Sequence, residues 1–219
     1  MIDWSASTPK VFHPGAISIP ENRLLRMQGY KVPENVRKAI RKAATAAARL
    51  AEDVVEPQIH YQYFEIQHLE GETLELANGT CFHCPAFPKY LSGCTSIIAN
   101  VLTLGQAFDD RIAQMIAEED LLGVLFLDNA GWLAVESATQ SFVQYLKSNA
   151  LTADTRLTRR LGPGYSYRSN KILSEWDLLE QPELFELFND YELPVSLLES
   201  GAMLPRMSRS GIYGLQVLA

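Results

Sequence analysis

The C-terminal part of the chain brings together residue types that suit a small zwitterionic ligand with a flat ring. A guanidinium matches the two oxygens of a carboxylate, and a turn without bulky side chains lets main-chain groups approach a ligand. Aromatic rings supply walls or hydroxyl donors. The two segments involved read Arg-Leu-Gly-Pro-Gly-Tyr and, further along the chain, Ser-Gly-Ile-Tyr. The candidate residues are Arg160, Gly162, Pro163, Gly164, Tyr165 and Tyr213.

Length and composition are those of an ordinary globular protein. The chain has 219 residues, of which 47% are hydrophobic and 21% are charged, and it can bury a proper core. The net charge of −7 argues against general binding to nucleic acid or to an anionic membrane, since both need a basic face. Arg156, Arg159 and Arg160 nevertheless allow a local basic pocket.

The sequence contains no sign of export or membrane insertion. No apolar run approaches the ~20 residues that cross a bilayer, and the N-terminus lacks the basic and apolar regions of a secretory signal. Three cysteines, an odd number, do not indicate a disulfide framework. We therefore expect a cytoplasmic protein.

Periodicity predicts the elements that position the candidate residues. Residues 1–32, rich in proline, are expected to form an extended arm, and residues 33–219 a single globular unit. Gly123 and Gly131 interrupt a long predicted helix, which indicates close packing or a ligand there. Apolar residues at helical spacing predict helices over 34–53, 109–117, 121–147 and 174–188.

Strands are predicted by alternation of side chains and by turn residues. The Asn78-Gly79 pair closes an alternating segment, as expected for strands joined by a turn. Helices mixed with hairpin-type strands, without regular βαβ alternation, point to an α+β fold with an antiparallel or mixed sheet. The predicted strands cover 61–76, 93–103, 195–200 and 211–218.

The C-terminal segments resemble the S-adenosylmethionine-binding activation domain of cobalamin-dependent methionine synthase. That family carries an Arg-x-x-Pro-Gly-Tyr segment with one further residue before the proline. A Glu-Ser-x-Ala-Met-x-Pro run and a Ser-Gly-x-Tyr run follow it. The resemblance implies that Arg160 grips the ligand carboxylate and that Tyr165 and Tyr213 lie along the ligand. The backbone of Gly162, Pro163 and Gly164 is expected to meet the adenine. The resemblance covers roughly residues 90–215 and implies the activation-domain fold.

An acidic partner for the ligand is expected from other parts of the chain. Glu136 lies in a Gly-Trp-Leu-Ala-Val-Glu segment similar to a Gly-Ser-x-x-Val-Glu run of free-standing family members. Gln140 lies one helical turn further on the same face, where the methionine synthase form carries an acid. Asp3 lies in Met-Ile-Asp-Trp, which is similar to the Tyr-Ile-Asp-Trp start of the fused domain, whose aspartate touches the ligand. An exposed helix charge is the alternative interpretation of Glu136.

The chain also departs from the family. After Pro-Gly-Tyr it has Ser-Tyr-Arg-Ser in place of Pro-Ala-Cys-Pro, and a cobalamin-binding Asp-x-His-x-x-Gly motif does not occur in it. The resemblance therefore implies that the corrinoid is carried by a partner protein.

The cysteines allow three interpretations. Cys81, His83 and Cys84 lie close together, and Cys94 follows, a set that could hold a metal or form a redox pair. His83 between two cysteines strains simultaneous coordination, and Cys94 lies in an apolar segment. Plain cysteines are the preferred interpretation, and we predict no metal site.

Two functional hypotheses remain. The first is a stand-alone reactivation subunit of a split methionine synthase, a methyltransferase component without a catalytic acid or base of its own. It would bind S-adenosylmethionine for reductive methylation of cob(II)alamin on a partner, with a flavodoxin-type protein as electron donor. The alternative is a docking or scaffold protein for another corrinoid methyl-transfer system that does not itself bind S-adenosylmethionine.

Overall fold

The computed structural model describes residues 8–32, 35–149, 151–152, 154–169, 172–189 and 191–217. Asp3 lies outside these ranges. The helices are α1 (Glu21–Met27), α2 (Lys38–Val54), α3 (Phe87–Tyr90), α4 (Gln106–Ala117), α5 (Leu121–Asn149) and α6 (Gln181–Glu186). A short 3-10 helix (Leu178–Glu180) precedes α6.

The strands alternate with these helices without a βαβ repeat. They are β1 (Lys10–Phe12), β2 (Gln58–Glu70), β3 (Thr73–Leu76), β4 (Cys81–His83), β5 (Cys94–Thr103), β6 (Thr155–Leu157), β7 (Ser166–Ser169), β8 (Ile172–Glu175), β9 (Ser196–Leu197), β10 (Met203–Leu204) and β11 (Ser208–Val217). The α+β prediction is confirmed.

One antiparallel sheet organises the described residues. Its strands follow the order β4-β3-β2-β5-β11-β6, and β1 pairs with β2. The long strand β5 lies between β2 and β11, and each of these neighbours pairs with it in antiparallel register. β7 and β8 form a separate hairpin, and β9 pairs with β10.

The central strand β5 is buried on both faces, which explains its nearly continuous apolar sequence. Successive side chains of a strand point to opposite faces. Ile98 and Leu102 therefore join the core under α1, α2, α4 and α5, whereas Ile97 and Val101 join a second core on the other face. Trp176, fully buried, lies in this second core.

The segment before α2 contributes to the first core. Ile17, Ile19, Leu24 and Leu25 are buried against α2 and its neighbours, and β1 adds to the sheet beside β2. The division of the chain into an extended arm of residues 1–32 and a single globular unit of residues 33–219 stays a prediction.

The helix α5 packs against α2 and α4, and its buried residues share the first core with side chains of the sheet. By length and composition it is apolar enough to cross a membrane, but half of its most apolar window is buried inside the protein. The composition of a core helix accounts for this. A Cβ at Gly131 would lie 2.5 Å from the Phe108 ring of α4, so this glycine permits close helix packing.

The predicted helix over residues 174–188 is wrong for its first half. Residues 172–175 form β8, which pairs with β7 through contacts such as Tyr167 with Ser174. Strand pairing thus overrides local helix propensity. Asp177 then accepts a hydrogen bond from the Leu179 N–H and opens the 3-10 helix.

Candidate ligand-binding cleft

A cleft of about 700 Å³ lies between the C-terminal half of α5 and the edge of the sheet formed by β6 and β11. It opens to solvent, which suits a ligand that enters from one side. The described residues that line it are Trp132, Glu136, Thr139, Gln140, Val143, Gln144, Lys147, Leu157, Thr158, Arg159, Arg160, Tyr165, Arg209 and Tyr213.

Strand alternation decides which β11 side chains face the cleft. Arg209, Gly211 and Tyr213 are spaced by two residues and share the α5 side, whereas Ile212 belongs to the core on the opposite face. Tyr213 is buried, with its ring edge-on to Phe142 at 6.2 Å between centroids. Burial raises the pKa of Tyr213 to about 12, although Arg160 and Arg209 oppose the rise. The hydroxyl is therefore protonated at neutral pH.

Arg160 is held against β11 by two neighbours. Its Nη1 donates to the backbone carbonyl of Ser210, and its guanidinium lies over the Tyr165 ring at 4.4 Å from the centroid. A guanidinium has five N–H donors in a planar fork, so one contact to the backbone leaves capacity for an anionic ligand. The contact to Ser210 fixes the position of the fork in the cleft.

Two glycines make room for the Arg160 side chain. A Cβ at Gly162 would lie 2.6 Å from Arg160 Nη1 and 2.8 Å from the Ser210 carbonyl oxygen. Gly211 has φ +152°, and a Cβ there would overlap the Leu161 carbonyl oxygen. Leu161 and Ile212 exchange two backbone hydrogen bonds, of 2.9 and 2.7 Å, next to these glycines. The glycines therefore permit close packing around a cation.

The backbone N–H groups of the Gly-Pro-Gly turn are used within the protein. The Gly162 N–H donates to the Tyr167 hydroxyl at 2.6 Å, and this hydroxyl donates back to the Gly162 carbonyl. The Gly164 N–H donates to the Trp176 carbonyl at 2.7 Å. These donors fix the shape of the turn, which in turn places Arg160 and Tyr165.

Arg209 is a residue of the cleft that the sequence analysis did not predict. Its Nη1 donates to Glu136 Oε2 and to Thr139 Oγ1, both at 3.0 Å. Its guanidinium also lies 5.8 Å from the centroid of the Trp132 ring. The strand predicted over 211–218 begins two residues after Arg209, whereas the observed β11 begins at Ser208. In the longer strand Arg209 precedes Tyr213 by four residues and therefore shares its face.

The structure brings most of the predicted site residues to one place. Arg160, Tyr165, Tyr213, Glu136 and Gln140 all line the cleft. The turn residues Gly162, Pro163 and Gly164 lie beside the cleft and are not among its lining residues. Asp3 lies outside the described residues.

The cysteines lie away from this cleft. Cys81 is exposed, Cys84 is buried, and all three cysteines have free thiols. Burial raises the pKa of Cys84 and raises that of Cys94 to about 11, which disfavours the reactive thiolate. Within the described residues no group of three or more His, Cys, Asp or Glu side chains could hold a metal ion. Glu180 instead accepts hydrogen bonds from the His83 backbone N–H and the Trp176 ring N–H.

The comparisons with known proteins establish the fold. The chain superposes on the crystal structure of the MetH reactivation domain bound to AdoHcy with a TM-score of 0.60. The superposition covers 98% of this chain and 82% of that chain, at 19% sequence identity. The chain therefore has the fold of this reactivation domain. No protein-family model matches the sequence, and the search of curated proteins gives no match.

Proposed function

We propose that this protein is a stand-alone reactivation subunit of a split cobalamin-dependent methionine synthase and binds S-adenosylmethionine in the cleft between α5 and β11. One observation carries the proposal. On a fold shared with the MetH reactivation domain, residues distant in sequence converge on a single cleft. These residues are Glu136, Gln140, Arg160, Tyr165 and Tyr213.

The donor set of the cleft fits the amino-acid end of the ligand. Arg160 offers a fork for the carboxylate, and Glu136 offers a carboxylate for the ammonium. Gln140 adds an amide one turn along α5 from Glu136. AdoHcy, the ligand of the related MetH domain, has the same amino-acid end and fits the same groups.

The rings of the cleft fit the nucleoside. Tyr165 is half-exposed at the mouth and Tyr213 is buried deeper, so an adenine or ribose between them would contact one accessible and one fixed ring. Gly162, Pro163 and Gly164 contribute by holding Arg160 and Tyr165 in place. Asp3 is proposed as a further acidic contact from the N-terminal arm.

Such a site would act by holding the methyl donor in a fixed position relative to the methyl acceptor. The proposed acceptor of the methyl group is a corrinoid carried by a partner protein, after one-electron reduction by an external donor of the flavodoxin type. The carbon–sulfur bond breaks as the reduced corrinoid takes the methyl group, and sulfur keeps the electron pair as a neutral thioether. This transfer needs no general acid or base. Tyr213 stays protonated at neutral pH, so its hydroxyl can contact the ligand without taking up a proton. We place the protein in the cytoplasm, where such a partner would be found.

Calorimetry with S-adenosylmethionine tests the proposal. The Arg160→Ala variant should lose ~1.5–3 kcal/mol of binding free energy, the cost of a charge-assisted hydrogen bond. The matched control is Arg49→Ala, since Arg49 is exposed on α2 and is not among the residues of the cleft. Equal affinity in the Arg160→Ala variant and the parent would remove Arg160 from the site.

A docking protein that does not bind the ligand is the second candidate. The ion pair between Glu136 and Arg209 favours it, because the carboxylate expected to hold the ammonium already has a partner. Thermal unfolding separates the two candidates. A ligand at a hundred times its Kd stabilises a protein by ~2.7 kcal/mol, so stabilisation by S-adenosylmethionine supports the first, and stabilisation only by a corrinoid protein supports the second.

A further inference from the structure

A second cavity, of about 310 Å³, lies at the edge of the sheet between α3 and β6. Three parts of the chain form its walls: α3 with the turn that follows it, β6 with the residues that follow it, and the end of β11. We call it the basic cavity. Its polar lining residues include Lys89, Tyr90, Arg156, Arg159 and Gln216.

The basic cavity is separate from the cleft between α5 and β11. In β11 the side chain of Leu215 joins the first core, so the side chain of Gln216, the next residue, points to the other face of the sheet. Arg156 pairs with Gln216 in antiparallel register and shares its face. The two openings adjoin along the edge of the sheet, where both are lined by residues 157–159.

The charges of the basic cavity are all of one sign. Lys89, Arg156 and Arg159 supply three positive charges, and no carboxylate is among the described residues that line the cavity. The ion pairs of the described part of the chain use other cations. The protein has 26 acidic and 19 basic side chains, so carboxylates are plentiful elsewhere. Cations that share a cavity repel one another, and an anion between them removes that repulsion.

Neutral groups hold two of these cations in place. Lys89 Nζ donates to the Arg168 carbonyl oxygen at 2.7 Å and lies 4.9 Å from the centroid of the Tyr90 ring. The Arg159 guanidinium lies 5.2 Å from the centroid of Tyr90 and 5.3 Å from that of Tyr167. A guanidinium that stacks on rings keeps its N–H donors in its own plane. These contacts therefore fix the positive charges without neutralising them.

We propose that the basic cavity binds the phosphate group of a small phosphorylated compound. A phosphate ester carries a charge of about −1.5 to −2 at neutral pH and offers three acceptor oxygens, which suit two guanidinium groups and one ammonium. A volume of about 310 Å³ also accommodates the group attached to the phosphate. Because cations of the protein already lie over Tyr90, the phosphate and not an attached ring is the recognised group.

The surroundings of the basic cavity favour a small anion over a long polyanion. The net charge of −7 repels nucleic acid or an anionic membrane that extends beyond the cavity. A second group of cations lies on the exposed face of α2, but only residues of that helix line it, and Arg41 within it is paired with Glu21 at 2.6 Å. The α2 surface therefore lacks the opposing wall that the basic cavity has.

Calorimetry with inorganic phosphate, pyrophosphate and citrate tests the proposal. At about 0.01 M salt, where the Debye length is ~30 Å, phosphate and pyrophosphate should bind, and pyrophosphate should bind more tightly because its charge is greater. At about 1 M salt, where the Debye length is ~3 Å, the affinity for pyrophosphate should fall by at least roughly tenfold. Citrate should bind more weakly than pyrophosphate, because its three carboxylates are spread over a larger molecule. In NMR spectra, pyrophosphate should shift the side-chain amide signals of Gln216, which lines the cavity.

Variants of the cavity wall locate the binding site. Arg156→Gln and Lys89→Gln should each weaken pyrophosphate binding on the order of fivefold to tenfold, since a charge-assisted hydrogen bond at an exposed site contributes less than a buried one. Neither residue lines the cleft between α5 and β11. The midpoints of thermal unfolding of both variants should stay near that of the parent, which shows that they fold.

The control variant is Lys42→Gln, which makes the same charge change on the exposed face of α2. It should leave the affinity for pyrophosphate unchanged. Absence of phosphate and pyrophosphate binding at low salt would overturn the proposal, as would citrate binding as tight as that of pyrophosphate. Parent-like affinity in both cavity variants, or a loss in Lys42→Gln instead, would place the anion elsewhere and overturn it too. Pyrophosphate binding by a chain that fails to bind S-adenosylmethionine would leave this proposal standing and remove only the proposed function.

Discussion

Arg209 of β11 donates from Nη1 to Glu136 Oε2 of α5 at 3.0 Å and so connects the two walls of the cleft. The side chain of Arg209 is 10% exposed and that of Glu136 is 32% exposed. The guanidinium is therefore less solvated than the carboxylate and relies more on its partner to compensate its charge. Thr139 Oγ1, also 3.0 Å from Nη1, is a neutral contact that stays when Glu136 is removed.

Substitution of either partner should give unequal losses of stability. Glu136→Gln leaves a nearly buried guanidinium without its carboxylate and should lower the free energy of unfolding by ~1–3 kcal/mol, because the charged group loses its charged partner. Arg209→Met, which keeps the length of the side chain, should cost less. Urea denaturation of both single variants and the double variant would measure this. A larger loss in Arg209→Met than in Glu136→Gln would contradict the interpretation.

Gly162→Ala should disturb ligand binding through Arg160. The added methyl group would lie 2.6 Å from Arg160 Nη1 and 2.8 Å from the Ser210 carbonyl oxygen, so the guanidinium must leave its position. We expect at least tenfold weaker binding of S-adenosylmethionine, or about 1.4 kcal/mol, measured by calorimetry. Gly15→Ala is the control, since a Cβ there meets nothing within 4 Å. Unchanged affinity in Gly162→Ala would show that the position of Arg160 is not critical.

Stability should decline in alkaline solution. Burial raises the pKa of Cys94 from 9.0 to about 11 and that of Tyr213 from 10.0 to about 12. As the pH rises, the unfolded chain loses these two protons before the folded chain does. The contribution of Cys94 and Tyr213 to the free energy of unfolding is therefore complete below pH 9. It is lost as the pH rises through their pKa values in the folded protein. Denaturant midpoints between pH 8 and pH 11 would show the decline. The Cys94→Ser variant should lose less stability than the parent between pH 9 and about pH 11. The same decline in both proteins would exclude Cys94 as a cause.

Stability should also fall in mild acid because of His60. Burial, followed by the charge of His13, lowers the pKa of His60 from 6.5. Its Nε2 lies 3.2 Å from Gln58 Oε1, and its Nδ1 is buried with no hydrogen-bond partner among the described residues. The unfolded chain takes up the proton first, so stability is present above pH 6.5 and is lost below it.

Comparison with a non-titrating variant isolates this contribution. His60→Phe keeps a ring that can pack against Tyr191, whose centroid lies 5.3 Å from that of His60. Its free energy of unfolding should fall less steeply than that of the parent between pH 7 and pH 5, although carboxylates still titrate in both. Parallel slopes would assign the acid sensitivity to other groups.

Much of the scaffold could be predicted from local sequence signals. The long helix, the strand over 94–103 and the β3–β4 hairpin closed by Asn78-Gly79 are explained by periodicity and turn chemistry, and the structure confirms them. The segment 174–188 could not be predicted in the same way. Its first residues pair with β7, which is a tertiary contact, and the burial of Trp176 in the second core anchors the 3-10 helix and α6 that come after it.

The cleft was only partly predictable for a related reason. Residue type and motif identified Arg160, Tyr165 and Tyr213, but their surroundings depend on contacts between distant segments. The Gly162 N–H donates to the hydroxyl of Tyr167, and Glu136 forms an ion pair with Arg209. The predicted strand over 211–218 stopped short of Arg209, and only its extension to Ser208 in the structure places Arg209 on the same face as Tyr213. The partner of Arg209 on α5 could be identified only from the folded chain.

Every described residue that lines the cleft falls between positions 132 and 213, whereas the strands β2 and β5, which carry both cores, precede that stretch. Substitutions at exposed residues of the cleft, such as Gln140 or Lys147, can therefore change its charge without altering β2 or β5. One fold can therefore be specified by very different sequences, as the 19% identity to the MetH reactivation domain shows.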